Sequence, residues 1–134
     1  MRPGSIRAHK VGGMTALRAL RGATTVDHDD AVAVKDRTQE LLLEMLARNG
    51  IALDEIVSVL FTATDDIHSA FPAAEVREIG FGVIPLICAK ELDIDGATPR
   101  CIRVLMHFNS DLAPAQMRHV YLHDAAGLRP DLTL

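Results

Sequence analysis

The sequence of 134 residues has no tryptophan, a single tyrosine and four phenylalanines. Any core it builds is therefore aliphatic, and a hydrophobic fraction of 49% leaves ample material for one. Cysteine is scarce: Cys88 and Cys101 are the only two, and they form no CxxC pair. That speaks against a disulfide scaffold and fits a reducing compartment. No apolar run approaches a membrane span, and Arg2 is followed by no apolar stretch of the kind a secretory signal needs. The cytoplasm is the expected location. Excess positive charge is missing too, and a net charge of −4 speaks against a nucleic-acid partner, which prefers a basic face. Six histidines are present without an HExxH motif or a Cys/His cluster. Neither a dinucleotide-binding glycine fingerprint nor a P-loop occurs. No metal and no cofactor is expected.

The length is that of one domain, and a chain this short gains from burying surface between subunits. Met1 to Gly13 is glycine-rich, basic and without periodicity, so residues 1–14 read as a disordered extension and 15–134 as the domain. Ala16 to Val26 reads as a strand with Leu17, Ala19 and Arg21 on one face and Arg18, Leu20 and Gly22 on the other. Arg21 is expected near the strand's end, beside a glycine that permits close approach. Asp29 or Asp30 can cap a helix running to Asn49, with Val34, Leu41, Leu42, Met45 and Leu46 as its apolar stripe and Gly50 as its stop. A short helical turn leads into a buried strand, Ile56 to Ala63. After a polar loop, Phe71-Pro72 opens a second helix reaching about Ile79, with Gly80 and Gly82 ending it.

Ile84 to Phe108 organises the rest. Ile84 to Leu92 and Cys101 to Phe108 read as strands around the turn residues Asp95-Gly96 and Thr98-Pro99. Glu91 closes the first of them, and Arg103 lies inside the second. An arginine within an apolar strand can snorkel to a sheet edge or pair with an acid. It can also serve as an anion clamp. The pattern leaves both open. Pro114 to Met117 reads as a helical turn. Arg118 to His123 reads as a last strand with His119, Tyr121 and His123 on one face, followed by a tail without a clear period. The order of elements implies an α+β fold, a mixed β-sheet with helices on one face.

Six blocks of residues occur in a telling order: Leu20 to Val26, Phe71-Pro72-Ala73, Cys88 to Glu91, Cys101 to Val104, Arg118 to Leu122 and Leu128 to Leu132. Together they resemble the AroH-type, monofunctional chorismate mutases over roughly Ala16 to Leu134. The resemblance implies a homotrimeric pseudo-barrel with active sites at subunit interfaces. It implies the rearrangement of chorismate to prephenate, in phenylalanine and tyrosine synthesis, without a cofactor. Residue by residue, it implies that Arg103 faces the substrate's ether oxygen, that Arg21 and Tyr121 bind carboxylates, and that Glu91 and Cys88 meet the ring hydroxyl. Phe71, Ala73 and Leu128 would be apolar walls, with Arg77 near the entrance. The chain departs from the family where Ala74 stands in place of a lysine and where the turn from Gly80 to Val83 is shorter. Two other functions remain as alternatives: a trimeric imine or enamine deaminase, and a non-catalytic small-molecule-binding trimer.

Overall fold

The computed structural model describes residues 15–128. The expected extension over residues 1–14 lies outside them, apart from its boundary, and so does the tail beyond Leu128. The described chain runs β1 (Ala16–Thr25), α1 (Ala31–Asn49), β2 (Ile56–Ala63), α2 (Pro72–Glu75), β3 (Leu86–Lys90), β4 (Cys101–Ser110) and β5 (Val120–Tyr121). The strands form one five-stranded sheet in the order β3-β2-β4-β1-β5. β4 is antiparallel to both β1 and β2, while β3 and β5 run parallel to their neighbours. This is the mixed α+β sheet read from the sequence.

Helix α1 begins where the Asp30 carboxylate accepts the Ala33 N–H at 2.8 Å. It ends at Gly50, whose φ of 60° is the left-handed turn that glycine tolerates, with its N–H donated to the Leu46 carbonyl. Leu41, Leu42 and Met45 are fully buried against Leu20, Phe61, Val104 and Met106 of the sheet. Each such side chain contributes roughly 1.5–3 kcal/mol of apolar burial as an upper estimate. Gly22 lets the helix come this close, since a Cβ there would collide with the Met45 sulfur.

Alternation along the strands divides the sheet into two faces. The helix side carries Leu20, Phe61, Val104 and Met106. The other side carries Arg21, Thr62, Arg103 and Leu105, with Arg21 paired to Leu105 and Thr62 to Arg103.

Three local expectations change. Arg21 is not at a strand end; it lies in the interior of β1. The second helix stops at Glu75 and gives way to tight turns over Arg77–Ile79 and Phe81–Val83. Gly80, at φ 105°, reverses the chain between them, which allows Phe81 to be completely buried. The last strand keeps only Val120 and Tyr121 on β1. His123 leaves the strand at φ 54° and starts a tight helical turn, His123–Gly127.

Candidate active site

The register of β4 sets Arg103 between Ala23 of β1 and Thr62 of β2. Both neighbours are small, which leaves room for a guanidinium above the sheet. Glu91, just past β3, reaches it from the side: its Oε2 lies 3.2 Å from Arg103 Nε. The same oxygen accepts the Thr62 hydroxyl at 2.8 Å, and Oε1 accepts the Leu92 N–H at 3.2 Å. The Glu91 backbone is fixed as well, its N–H donating to the Ala63 carbonyl at 3.0 Å. The ion pair is thus made at one nitrogen of a fork with five donors, which leaves the fork's outer edge available to a further anion. The Arg103 side chain is 47% exposed, against 21% for Glu91.

Arg21 projects from the same face, one strand over. Its backbone N–H donates to His119 Nδ1 at 2.9 Å, which extends the short β1–β5 pairing by a side chain. Tyr121 sits opposite Ala23 in parallel register, and the Leu122 N–H donates to the Ala23 carbonyl at 2.9 Å. Arg21, Glu91, Arg103, Tyr121 and Leu128 together line a cleft of about 410 Å³, floored by Leu60, Thr62 and Leu105. With two guanidiniums against one carboxylate the cleft is net positive, and its size suits a small organic anion. Burial pushes the thiol of nearby Cys101 above its usual range, an effect that Arg103 opposes without cancelling, which disfavours the thiolate there.

The remaining sequence-predicted residues lie elsewhere in the chain. Cys88 pairs with Phe61, a core residue, and so belongs to the helix side of the sheet. With Phe71, which is 73% exposed, it lines a second cleft of about 600 Å³. The loop forming that cleft is tied down by two carboxylates. Asp29 accepts the backbone N–H groups of His68 and Ser69 at 2.9 and 3.0 Å. Asp66 accepts the Arg100 N–H at 2.9 Å and the Thr64 hydroxyl at 2.5 Å. Hydrogen bonding by Ser69, with partial desolvation opposing it and the His68 N–H adding to it, holds the Asp29 carboxyl below its ordinary range. For Asp66, burial pushes upward, but bonds from Thr64 and Arg100 outweigh it and the carboxyl is again held low. Ala73 is half-buried against the main core. Arg77 is exposed on its tight turn and lines neither cleft. One chain therefore gathers Arg21, Glu91, Arg103, Tyr121 and Leu128 in one place and Phe71 and Cys88 in another.

Sequence reasoning missed Thr62, His119 and the Asp29/Asp66 anchors. Thr62 was recognisable only through the pairing of β2 with β4, which no single strand pattern reveals. Among the described residues no group of three or more His, Cys, Asp or Glu could hold a metal ion. No described helix is long and apolar enough to cross a membrane.

Residues 17–132 match the chorismate mutase type I family. The chain belongs to that family. It is 48% identical over 117 residues to chorismate mutase AroH of Thermus thermophilus, covering 87% of this chain and 96% of the relative. Against chorismate mutase AroH of Bacillus subtilis (strain 168) it is 40% identical over 119 residues, covering 88% and 94%. The solved structure of a chorismate mutase from Clostridium thermocellum aligns with a TM-score of 0.79 at 44% identity, covering 81% of this chain and 96% of that one. All six ordered sequence blocks fall within the stretch matched to the type I chorismate mutases. The two arginines and the glutamate of the smaller cleft therefore sit in a type I chorismate mutase framework.

Proposed function

We propose that this protein is an isomerase that converts chorismate to prephenate by a (3,3)-sigmatropic, Claisen-type rearrangement. One C–O bond breaks and one C–C bond forms within a single molecule, with a cyclic shift of electrons. No proton, electron or group leaves for a partner. Catalysis then needs two things: a compact conformer held with both carboxylates in place, and positive charge where the ether oxygen becomes negative. The observation that carries the reading is the cleft in which Arg103 is fixed by Glu91 at Nε while Arg21 projects beside it. Arg103 meets the ether oxygen and one carboxylate, Arg21 and Tyr121 hold carboxylates, and Glu91 receives the ring hydroxyl. Leu128 is an apolar wall. The product is a precursor of phenylalanine and tyrosine.

The protein acts as a homotrimer whose sites lie between subunits. Two features support this. The helix-free face of the sheet leaves Ile87 63% exposed next to Leu60 on β2, and Leu17 57% exposed on β1, apolar side chains that a neighbouring subunit would cover. Phe71 and Cys88 line a cleft away from Arg103 in one chain, as expected if a neighbour supplies them together with Ala73 and Arg77 of the segment that follows Phe71. Purified protein should remove the ultraviolet absorbance of chorismate in buffer without added cofactor. Unchanged chorismate, with ammonia released from an imino acid instead, would point to a deaminase of similar architecture.

A further inference from the structure

The wall of the smaller cleft nearest the sheet edge is thinly supported. β5 contributes only two register pairs to β1, Gly22 with Val120 and Ala23 with Tyr121. Immediately after it the chain turns at His123, which at φ 54° is one of two described non-glycine residues in the left-handed region. A side chain is strained there and persists only where its surroundings hold it. Three contacts do so. His123 Nε2 lies 2.7 Å from Glu40 Oε1 on α1. The Asp124 N–H donates to the Thr25 hydroxyl at 3.1 Å. Ala125 is completely buried. The turn ends as the Leu128 N–H donates to the Ala125 carbonyl at 3.0 Å, which sets Leu128 in the cleft. His123 is thus bracketed in sequence by two cleft residues, Tyr121 and Leu128, and is the point at which that wall is fastened to the long helix.

We propose that the His123–Glu40 pair is a clasp, and that His123 is a positioning residue for substrate binding, acting through Tyr121 and Leu128. This rests on the reading of the smaller cleft as the chorismate site. Both side chains are partly exposed, at 37% and 48%, so the pair adds little to global stability. Its effect is local: it keeps the His123–Gly127 turn closed against β1 and α1 and so keeps the wall in place before substrate arrives. Neither residue lines the cleft, and neither reaches the reacting atoms through Arg103. Loosening the clasp therefore weakens binding and leaves the chemical step nearly intact.

The test uses the full-length protein and three variants: Glu40→Ala, which removes the acceptor without touching the turn; His123→Lys, which places a permanent cation opposite Glu40; and His123→Gly, which relaxes the backbone while losing the pair. Glu40→Ala should raise KM for chorismate about three- to tenfold with kcat within about twofold and an unchanged melting temperature. His123→Lys should keep KM within about twofold of the parent, because its ammonium can still donate to Glu40. His123→Gly should separate the two causes by raising KM as Glu40→Ala does, although its backbone is unstrained. Hydrogen exchange provides a readout without substrate: the amides of Asp124, Ala125 and Leu128 should lose protection in Glu40→Ala. Unchanged protection of those amides, or an unchanged KM in an active Glu40→Ala protein, overturns the clasp. A parent protein that leaves chorismate untouched refutes the substrate assignment instead, and the exchange measurement still decides whether the clasp exists.

Discussion

Arg103 is the residue whose surroundings explain it most fully. It stands mid-strand, where pairing to β1 and β2 holds its backbone, and Glu91 fixes its Nε. Such a preorganised donor typically contributes about 3–4 kcal/mol to a developing oxyanion, or two to three orders of magnitude in rate. Arg103→Ala should therefore lower kcat far more than it disturbs folding. Arg103→Lys keeps a charge but loses the fork and should recover only part of the loss. Steady-state kinetics on both, with the fold checked by circular dichroism, measures this; equal kcat values across the set would remove Arg103 from the chemistry. Asp29 and Asp66 act differently, since both carboxyls are held below their ordinary range by the loop they anchor. A depressed folded-state value stabilises the loop above the unfolded carboxylate value of about 3.9, and the benefit is lost as pH falls through the folded value. Protection factors of residues 64–71 against hydrogen exchange, taken relative to the intrinsic rate at each pH, should fall below about pH 4, and Asp29→Asn or Asp66→Asn should show that lower protection already at pH 7. A flat profile in the parent would show that these bonds do not hold the loop.

At the scale of elements, α1 was legible because its signals are local: an aspartate cap, an apolar stripe and a glycine stop. The early end of α2 was not, because Gly80 reverses the chain to bury Phe81, a demand made by the core rather than by the segment's own pattern. The brevity of β5 was hidden for a similar reason. Alternation from Arg118 to His123 looks strand-like throughout, yet His123 turns away to meet Glu40 on a helix far away in sequence. The candidate site divided in the same manner. Arg21, Glu91 and Arg103 stood out by their places in or beside apolar strands and took their roles from the family resemblance, whereas the opposite orientation of Cys88 depends on its pairing with Phe61, which no strand announces alone. The contact between α1 and β1 yields its own prediction. A Cβ at position 22 would strike Met45, which is completely buried and has little room to yield. Gly22→Ala should cost about 1–3 kcal/mol, read from the denaturant midpoint. A stability within a few tenths of a kcal/mol of the parent would mean that the Met45 side chain moves aside freely.

For the whole molecule, one sheet face is packed by helices and the other carries both the charged cleft and exposed Leu17 and Ile87. An account in which that second face meets other subunits predicts a mass of about three times the 14.6 kDa chain by light scattering. A fully active monomer would contradict shared sites. The rearrangement itself is tested most directly by proton NMR of chorismate incubated with the trimeric protein in metal-free, cofactor-free buffer. Prephenate should appear as the single product, mole for mole, and a trimeric Arg103→Met protein should form it roughly two to three orders of magnitude more slowly. Unchanged chorismate with the parent protein, or an Arg103→Met trimer as fast as the parent, would contradict the account.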